Sequence, residues 1–339
     1  MKRSPKDKLK VGVVGATGMV GQTFMEILAQ REFPIAELRP FASENSLGKK
    51  IELQGTAWPC QVLKEGCFDG LDLVFFSSGD DISKEWAPKA VAAGAFAIDN
   101  SAAFRMDPNT VLIVPEVNGD LVNKDSKPQI IANPNCSTIQ LVVALKPLLD
   151  KFGLEEVRVS TYQAVSGAGK DGHDELMNQT SNPAASHTPK TFPHQILFNC
   201  IPQIGSFNDD GFCSEEVKIM KETRKILGQS QLKVSAFTVR IPALNAHSES
   251  VWVTLKNEAN REQVLQALHN FEGIVVQDDP KKSVYPLAHK VSGEDPVYVG
   301  RIHRDPEDPK MWLMWVVSDN IRKGAALNGI QIAEKIFHS

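Results

Sequence analysis

The chain has 339 residues, enough for two domains, and its 42% hydrophobic and 23% charged residues are those of an ordinary soluble globular protein. A formal net charge of −4 argues against a general nucleic-acid binder, which needs a basic face. No apolar run reaches membrane-spanning length, the basic start lacks a signal core, and five cysteines with no CxxC spacing argue against a disulfide framework or a structural metal site, so a reducing cytoplasm is the expected compartment.

Along the chain, "LKVGVVGA" reads as a buried strand and "MVGQTFMEILAQ" as the helix that follows it. Between them "VGVVGATGMVG" places Gly15, Gly18 and Gly21. Glycines there allow a tight turn and a close phosphate approach, and the helix start offers free N–H groups. The spacing is GxxGxxG, so the alternative is a packing turn; its place at the head of a strand-helix unit favours nucleotide binding. The second strand, in "AELRPFASENS", ends at Ser43, Glu44, Asn45 and Ser46. The serines suit a 2′-phosphate and Glu44 a 2′-hydroxyl, which leaves NADP and NAD open locally. "LDLVFFSSG", "AFAIDNS", "VLIVPEV" and "QIIANP" are further short apolar strands, the texture of a parallel sheet covered on both faces. After about residue 135, "EEVRVSTYQAVSG", "LKVSAFTVRIPAL" and "HSESVWVTLKN" alternate with period two, as antiparallel strands do. Residues 168–214 read as long polar insertions, and "IRKGAALNGIQIAEKIF" as a final amphipathic helix.

"IIANPNCSTIQL" carries the chemical question. Cys136 follows Pro134 and precedes a helix for which Ser137 and Thr138 are candidate N-caps. A helix start favours the thiolate, yet an isolated cysteine is also a common small core residue. A base is available in His247, with His173 as the competing histidine. Arg240 closes the strand "SAFTVR", where it either grips a carboxylate or faces solvent. Glu215 and Lys218 stand at i, i+3 in "SEEVKIMKETRKIL", a pattern shared with any solvated helix face. Arg105, in "NSAAFRMDP", sits in a loop and either binds an anion or faces water.

Taken together, "GATGMVG", "DNSAAFRMDP", "VPEVN", "NPNCST", "YQAVSGAG", "EEVKIMKET", "VRIPALNAHSESV" and "DNIRKGAALN" resemble the aspartate-β-semialdehyde dehydrogenase family, in its bacterial branch with the shorter substrate domain. The match runs in order from about residue 10 to 330. The resemblance implies an α/β fold: a Rossmann-type parallel-sheet domain over 1–134, completed by a C-terminal helix in 320–339, and an α+β catalytic and dimerisation domain over 135–319 with a mixed, largely antiparallel sheet. It implies Cys136 as the thioester-forming nucleophile, Gln163 as the orienting amide and His247 as the acid/base. It implies Arg240 and Glu215 on the substrate's carboxylate and amine, Asn135 lining that pocket, and Arg105 and Lys218 on phosphate. It implies Gly15, Thr17, Gly18, Met19, Val20, Ser43, Asn45, Ser46, Ser166, Gly167 and Asn320 on the cofactor.

The implied reaction is reduction of L-aspartyl-4-phosphate to L-aspartate 4-semialdehyde with NADPH and release of phosphate, a step feeding lysine, methionine and threonine synthesis. The implied assembly is a homodimer or a dimer of dimers. Asn45 stands where members of the family commonly carry an arginine near the 2′-phosphate, so NAD use is also expected. A reductase of N-acetyl-glutamyl phosphate is the nearest rival, but that substrate has no free amine for Glu215 to hold.

Overall fold

The computed structural model describes residues 8–184 and 188–337. The basic start (residues 1–7) and the last two residues of segment 320–339 lie outside the described residues. Contacts divide the chain into two compact units, one of residues 1–134 with 325–339 and one of residues 135–324.

The first unit opens with β1 (Leu9–Val14), α1 (Met19–Gln30) and β2 (Ile35–Phe41), followed by a small hairpin of β3 (Lys50–Leu53) and β4 (Thr56–Pro59). Next come β5 (Leu73–Phe76), α2 (Asp80–Ala92), β6 (Phe96–Asp99), β7 (Val111–Leu112), the single turn α3 (Pro115–Asn118) and β8 (Ile130–Ala132). Six strands form one sheet in the order β2-β1-β5-β6-β8-β7, every pairing parallel. Their near-continuous apolar character follows from burial on both faces. On one face α1 and the C-terminal helix (Leu327–Phe337) share a core with Val11, Val13, Phe75 and Ile98; on the other, Val14, Phe41, Phe68 and Phe76 pack with α2.

The second unit runs α4 (Cys136–Phe152), β9 (Leu154–Gln163), α5 (Gly169–Ser181), α6 (Ser214–Leu227), β10 (Lys233–Arg240), β11 (His247–Leu255), α7 (Arg261–His269), β12 (Ile274–Val276), α8 (Ala288–Val291), β13 (Val297–Arg304) and β14 (Met311–Ser318). The sheet order is β10-β9-β11-β14-β13-β12. The middle pairings are antiparallel, while β10 with β9 and β12 with β13 are parallel. Period-two alternation alone predicts antiparallel pairing for β10; it runs parallel to β9 because α5 and α6 carry the chain back before β10 begins. Alternation leaves one sheet face buried, with Val157, Val159, Val251, Val253 and Met314, and the other partly exposed, with Tyr162, Phe237, Trp252, Leu313 and Trp315.

Two sequence expectations need correction. Part of the "polar insertion" 168–214 is the regular helix α5, and Leu176, Phe192, Ile196 and Leu197 form an apolar cluster of their own there. The final segment returns to the first unit at Ala325, not at Asn320. Asp319 accepts the main-chain N–H groups of Ile321 and Arg322, and Asn320 bonds Ser166, which ties that stretch to the second unit.

Candidate active site

The glycine loop of the first unit has the shape a phosphate needs. Gly15 has φ +84°, and a Cβ there would stand 2.4 Å from the Ser77 carbonyl oxygen. A Cβ on Gly21 would stand 2.2 Å from the Gly15 carbonyl oxygen, so no other residue fits without moving main chain. Gly18 is exposed and caps α1 without a side chain, and Thr17, Met19 and Val20 are only partly buried. The first N–H groups of α1 therefore meet no capping side chain, and the positive end of a twelve-residue helix is left for an anion. This cradle fits a dinucleotide pyrophosphate. At the end of β2, Ser43, Glu44 and Asn45 are exposed, and Ser46 closes the same 3₁₀ turn.

Arg105 also belongs to the first unit. It is 7% exposed and donates to the carbonyl oxygens of Asn133 and Asn100, each at 2.9 Å, so it does not face water.

In the second unit the side chains converge. α4 starts at Cys136, which is half-buried, and its N-cap is Asn135, not Ser137 or Thr138. The Asn135 Oδ1 accepts the N–H groups of Ser137 (3.0 Å) and Thr138 (3.1 Å), so those residues are held as the first turn of the helix. The Asn135 Nδ2 donates to Glu215 Oε1 at 2.7 Å, and its main-chain N–H donates to Glu222 Oε2 at 2.7 Å. Gln163, at the end of β9, donates to the same Glu215 oxygen at 3.2 Å, and Lys218 Nζ lies 3.5 Å from the other. Glu215 is thus buried in a network and is not part of a solvated helix face. Burial pushes its carboxyl up, but Lys218, the Asn135 and Gln163 amides and Arg240 outweigh this and hold its pKa below the usual value.

Arg240 is 5% exposed and donates to the Ala164 carbonyl oxygen at 2.6 Å. Burial lowers its pKa, opposed by the charges of Glu215 and Cys136. His247 is fully buried at the head of β11, and its Nδ1 accepts the Ala164 N–H at 3.0 Å. Burial and then the neighbouring Arg240 drive its pKa well below 6.5, with a weak opposing pull from the Ala246 backbone. A Cβ on Gly167 would stand 2.7 Å from Arg240 Nη1 and 3.1 Å from His247 Nε2, so only glycine leaves this pair uncovered. Ser166 and Asn320 hydrogen-bond each other, and the Asn320 Oδ1 accepts the Ala246 N–H. His173, the competing histidine, lies part-exposed on α5 against Asp174.

Sequence reasoning missed two participants. Glu222 follows Glu215 by seven residues, on the same face of α6, a helical spacing that was available to be read. Gly324 would carry a Cβ 2.9 Å from the Cys136 Cβ, and only its glycine identity within "IRKGAALN" pointed to a close approach.

The first unit's fold and glycine cradle, with the buried polar cluster of the second, are those of a nicotinamide-dependent oxidoreductase of the semialdehyde dehydrogenase class. The family model for the semialdehyde dehydrogenase NAD binding domain matches residues 10–124, and that for the semialdehyde dehydrogenase dimerisation domain matches residues 145–323. The aspartate-semialdehyde dehydrogenase of Aquifex aeolicus is 49% identical over 96% of this chain and 97% of its own. A Vibrio cholerae aspartate semialdehyde dehydrogenase II, solved in complex with ASA, superposes with a TM-score of 0.95 at 41% identity, covering 98% of this chain and 99% of that one. The Candida albicans enzyme, solved with NADP, gives 0.75 at 29% identity, covering 97% and 98%. The chain belongs to the aspartate-semialdehyde dehydrogenase family.

Proposed function

We propose that the protein catalyses reversible, NADPH-dependent reductive dephosphorylation of L-aspartyl-4-phosphate to L-aspartate 4-semialdehyde, a cytoplasmic step in lysine, methionine and threonine synthesis. The observation that carries this reading is the pair of opposite charges, Arg240 and Glu215, both buried in the second unit, with Glu215 bonded to the N-cap residue of α4 and to Gln163, and Arg240 bonded to the Ala164 carbonyl that follows Gln163. An amino acid head has a carboxylate for the guanidinium and an ammonium for the carboxylate. Cys136 then attacks the acyl phosphate and holds the aspartyl group as a thioester. Gln163 orients that group, and His247 attends its carbonyl oxygen. Lys218 and Arg105 are the cations for phosphate, and the two backbone carbonyls on Arg105 fix the direction of its guanidinium.

Gly15, Thr17, Gly18, Met19 and Val20 would hold the cofactor's phosphates, Ser43, Asn45 and Ser46 its ribose end, and Ser166, Gly167 and Asn320 its nicotinamide end. The bound cofactor supplies hydride. With Asn45 in the 2′-phosphate turn, NAD serves as a second, weaker cofactor. The partly exposed Tyr162, Phe237, Trp252, Leu313 and Trp315 face of the second sheet supports a homodimer in which a second copy covers it, or a tetramer of two such dimers.

The test is phosphate-dependent reduction of NADP and of NAD by L-aspartate 4-semialdehyde. Turnover that requires phosphate is expected with both. Turnover without phosphate, or with N-acetyl-glutamate semialdehyde in its place, overturns the reading. A kcat/KM that strongly favours NADP removes the assignment to Asn45.

A further inference from the structure

We infer that Asn328, on the C-terminal helix, and Asn133, at the end of β8, are positioning residues for Arg105: a row of side-chain amides fixes the direction in which its guanidinium meets phosphate. The inference rests on the phosphate role proposed above for Arg105.

The observation is a polar residue at an apolar position. Leu327, Ile330, Ile332, Ala333 and Ile336 make the buried side of the C-terminal helix apolar, yet Asn328 of the same helix is fully buried too. A buried amide costs free energy unless its groups are bonded, and asparagine is a poorer helix former than leucine or alanine. The bonds of Asn328 are specific. Its Nδ2 donates to the Ile113 carbonyl oxygen at 3.0 Å, where the chain leaves β7, and to the Asn133 Oδ1 at 2.6 Å. A main-chain carbonyl only accepts, so the Ile113 contact identifies the nitrogen of Asn328. That turns the oxygen of Asn133 toward the helix and its nitrogen away. The Asn133 Nδ2 donates to the Ala325 carbonyl oxygen at 3.3 Å and to the Asn100 Oδ1 at 2.5 Å. The three amides thus run head to tail from Asn328 to Asn133 to Asn100, and the carbonyls of Ile113 and Ala325 set the sense of the row.

What the row holds is the pair of carbonyls on which Arg105 rests. β6 and β8 are parallel neighbours whose last paired residues are Asp99 and Ala132. One more main-chain bond joins them, from the Asn133 N–H to the Asp99 carbonyl oxygen at 2.7 Å. Past that edge the side chains of Asn100 and Asn133 continue the connection. Their own carbonyl oxygens accept Arg105 Nη2 and Nε, each at 2.9 Å. Two donors of one planar guanidinium, held by two acceptors of fixed spacing, leave it little freedom to turn. Arg105 lies in the loop between β6 and β7, where an unsupported arginine would be ordered only on meeting its anion, at a cost in affinity. Removing the Asn328 amide takes the donor from the Asn133 oxygen. That amide can then turn over and set its oxygen against the oxygen of Asn100, which parts the two carbonyls.

The test is steady-state kinetics of the phosphate-dependent oxidation of L-aspartate 4-semialdehyde by NADP, with each reactant varied in turn. Asn328→Ser is expected to raise the KM for phosphate about 3–10-fold, the worth of a hydrogen bond between neutral groups. The KM values for semialdehyde and NADP are expected to stay unchanged. Asn100→Ala should move the phosphate KM in the same direction; Asn100 is only half-buried, so this variant answers the question even if the serine variant does not fold. In an Arg105→Ala background neither substitution should raise the phosphate KM further, because the group they position is gone. A rise in all three KM values together, or an equal further rise without Arg105, marks a merely structural amide and overturns the inference. An unchanged phosphate KM in both variants overturns it as well. If Arg105→Ala alone leaves the phosphate KM unchanged, it is the phosphate role of Arg105 that fails, and the inference with it.

Discussion

The Gly15–Gly21 loop and the cluster around Cys136 are made of different materials. The loop is main chain: three glycines, a helix start and no capping side chain. The cluster is side chain, drawn from α4, β9, α6, β10 and β11, and nearly every polar group in it is buried and bonded to another. A site made of main chain fixes a phosphate by shape and dipole and has little to titrate. A site made of buried charges sets the protonation state of each group through its neighbours, which chemistry demands and simple binding does not.

The sharpest way to break this contrast is to remove the nucleophile. Cys136→Ser is expected to lower kcat on the order of 10⁴–10⁶-fold, as removal of a nucleophile from a set of groups acting together does. Dinucleotide affinity, followed by fluorescence titration, is expected to stay unchanged; a matching loss of affinity would mean that the two sites are not separable.

The converse test is Gly21→Ala, whose Cβ meets only main-chain atoms at 2.2–2.8 Å. Overpacking of this kind costs about 1–3 kcal/mol. Cofactor affinity should fall while the rate of Cys136 alkylation by a small thiol reagent holds.

The smallest effect concerns Glu249. It is fully buried, and burial raises its pKa well above 4.5, with the Gln140 side chain pulling slightly the other way. The folded chain therefore keeps a proton that the unfolded chain releases, and stability falls as pH rises from 4.5 toward the folded value. Glu249→Gln removes that linkage. Its Tm should equal the wild type's near pH 4 and exceed it as pH rises above 4.5. Parallel Tm curves would show that the carboxyl is ionised in the fold.

What could be read from the sequence follows the same contrast. β1, the glycine turn and α1 are contiguous and carry their own period, so their boundaries were legible. Cys136 is legible as a helix-start cysteine, but the N-cap expected at Ser137 or Thr138 lies two or three residues earlier, at Asn135. Asn135, Ser137 and Thr138 offer three chemically similar caps within four residues, and only the partners of Asn135 on α6 choose among them. The burial of Arg240 and Glu215 was not visible in strand or helix pattern, because a charge on an alternating face reads as solvated until its counter-charge is placed. Glu222 and Gly324 act through contacts with residues far along the chain, which no local pattern records.

The amide of Asn135 has a further consequence. Its oxygen accepts from the helix start and its nitrogen donates to Glu215, so the two ends of the group are not interchangeable. Slow hydrolysis of that amide, a common form of chemical ageing in asparagine, would exchange the nitrogen for an oxygen. The change is nearly without volume, yet it sets one carboxylate against another at the foot of the nucleophile's helix. A single nitrogen atom thus keeps the start of the nucleophile's helix and Glu215 joined rather than opposed.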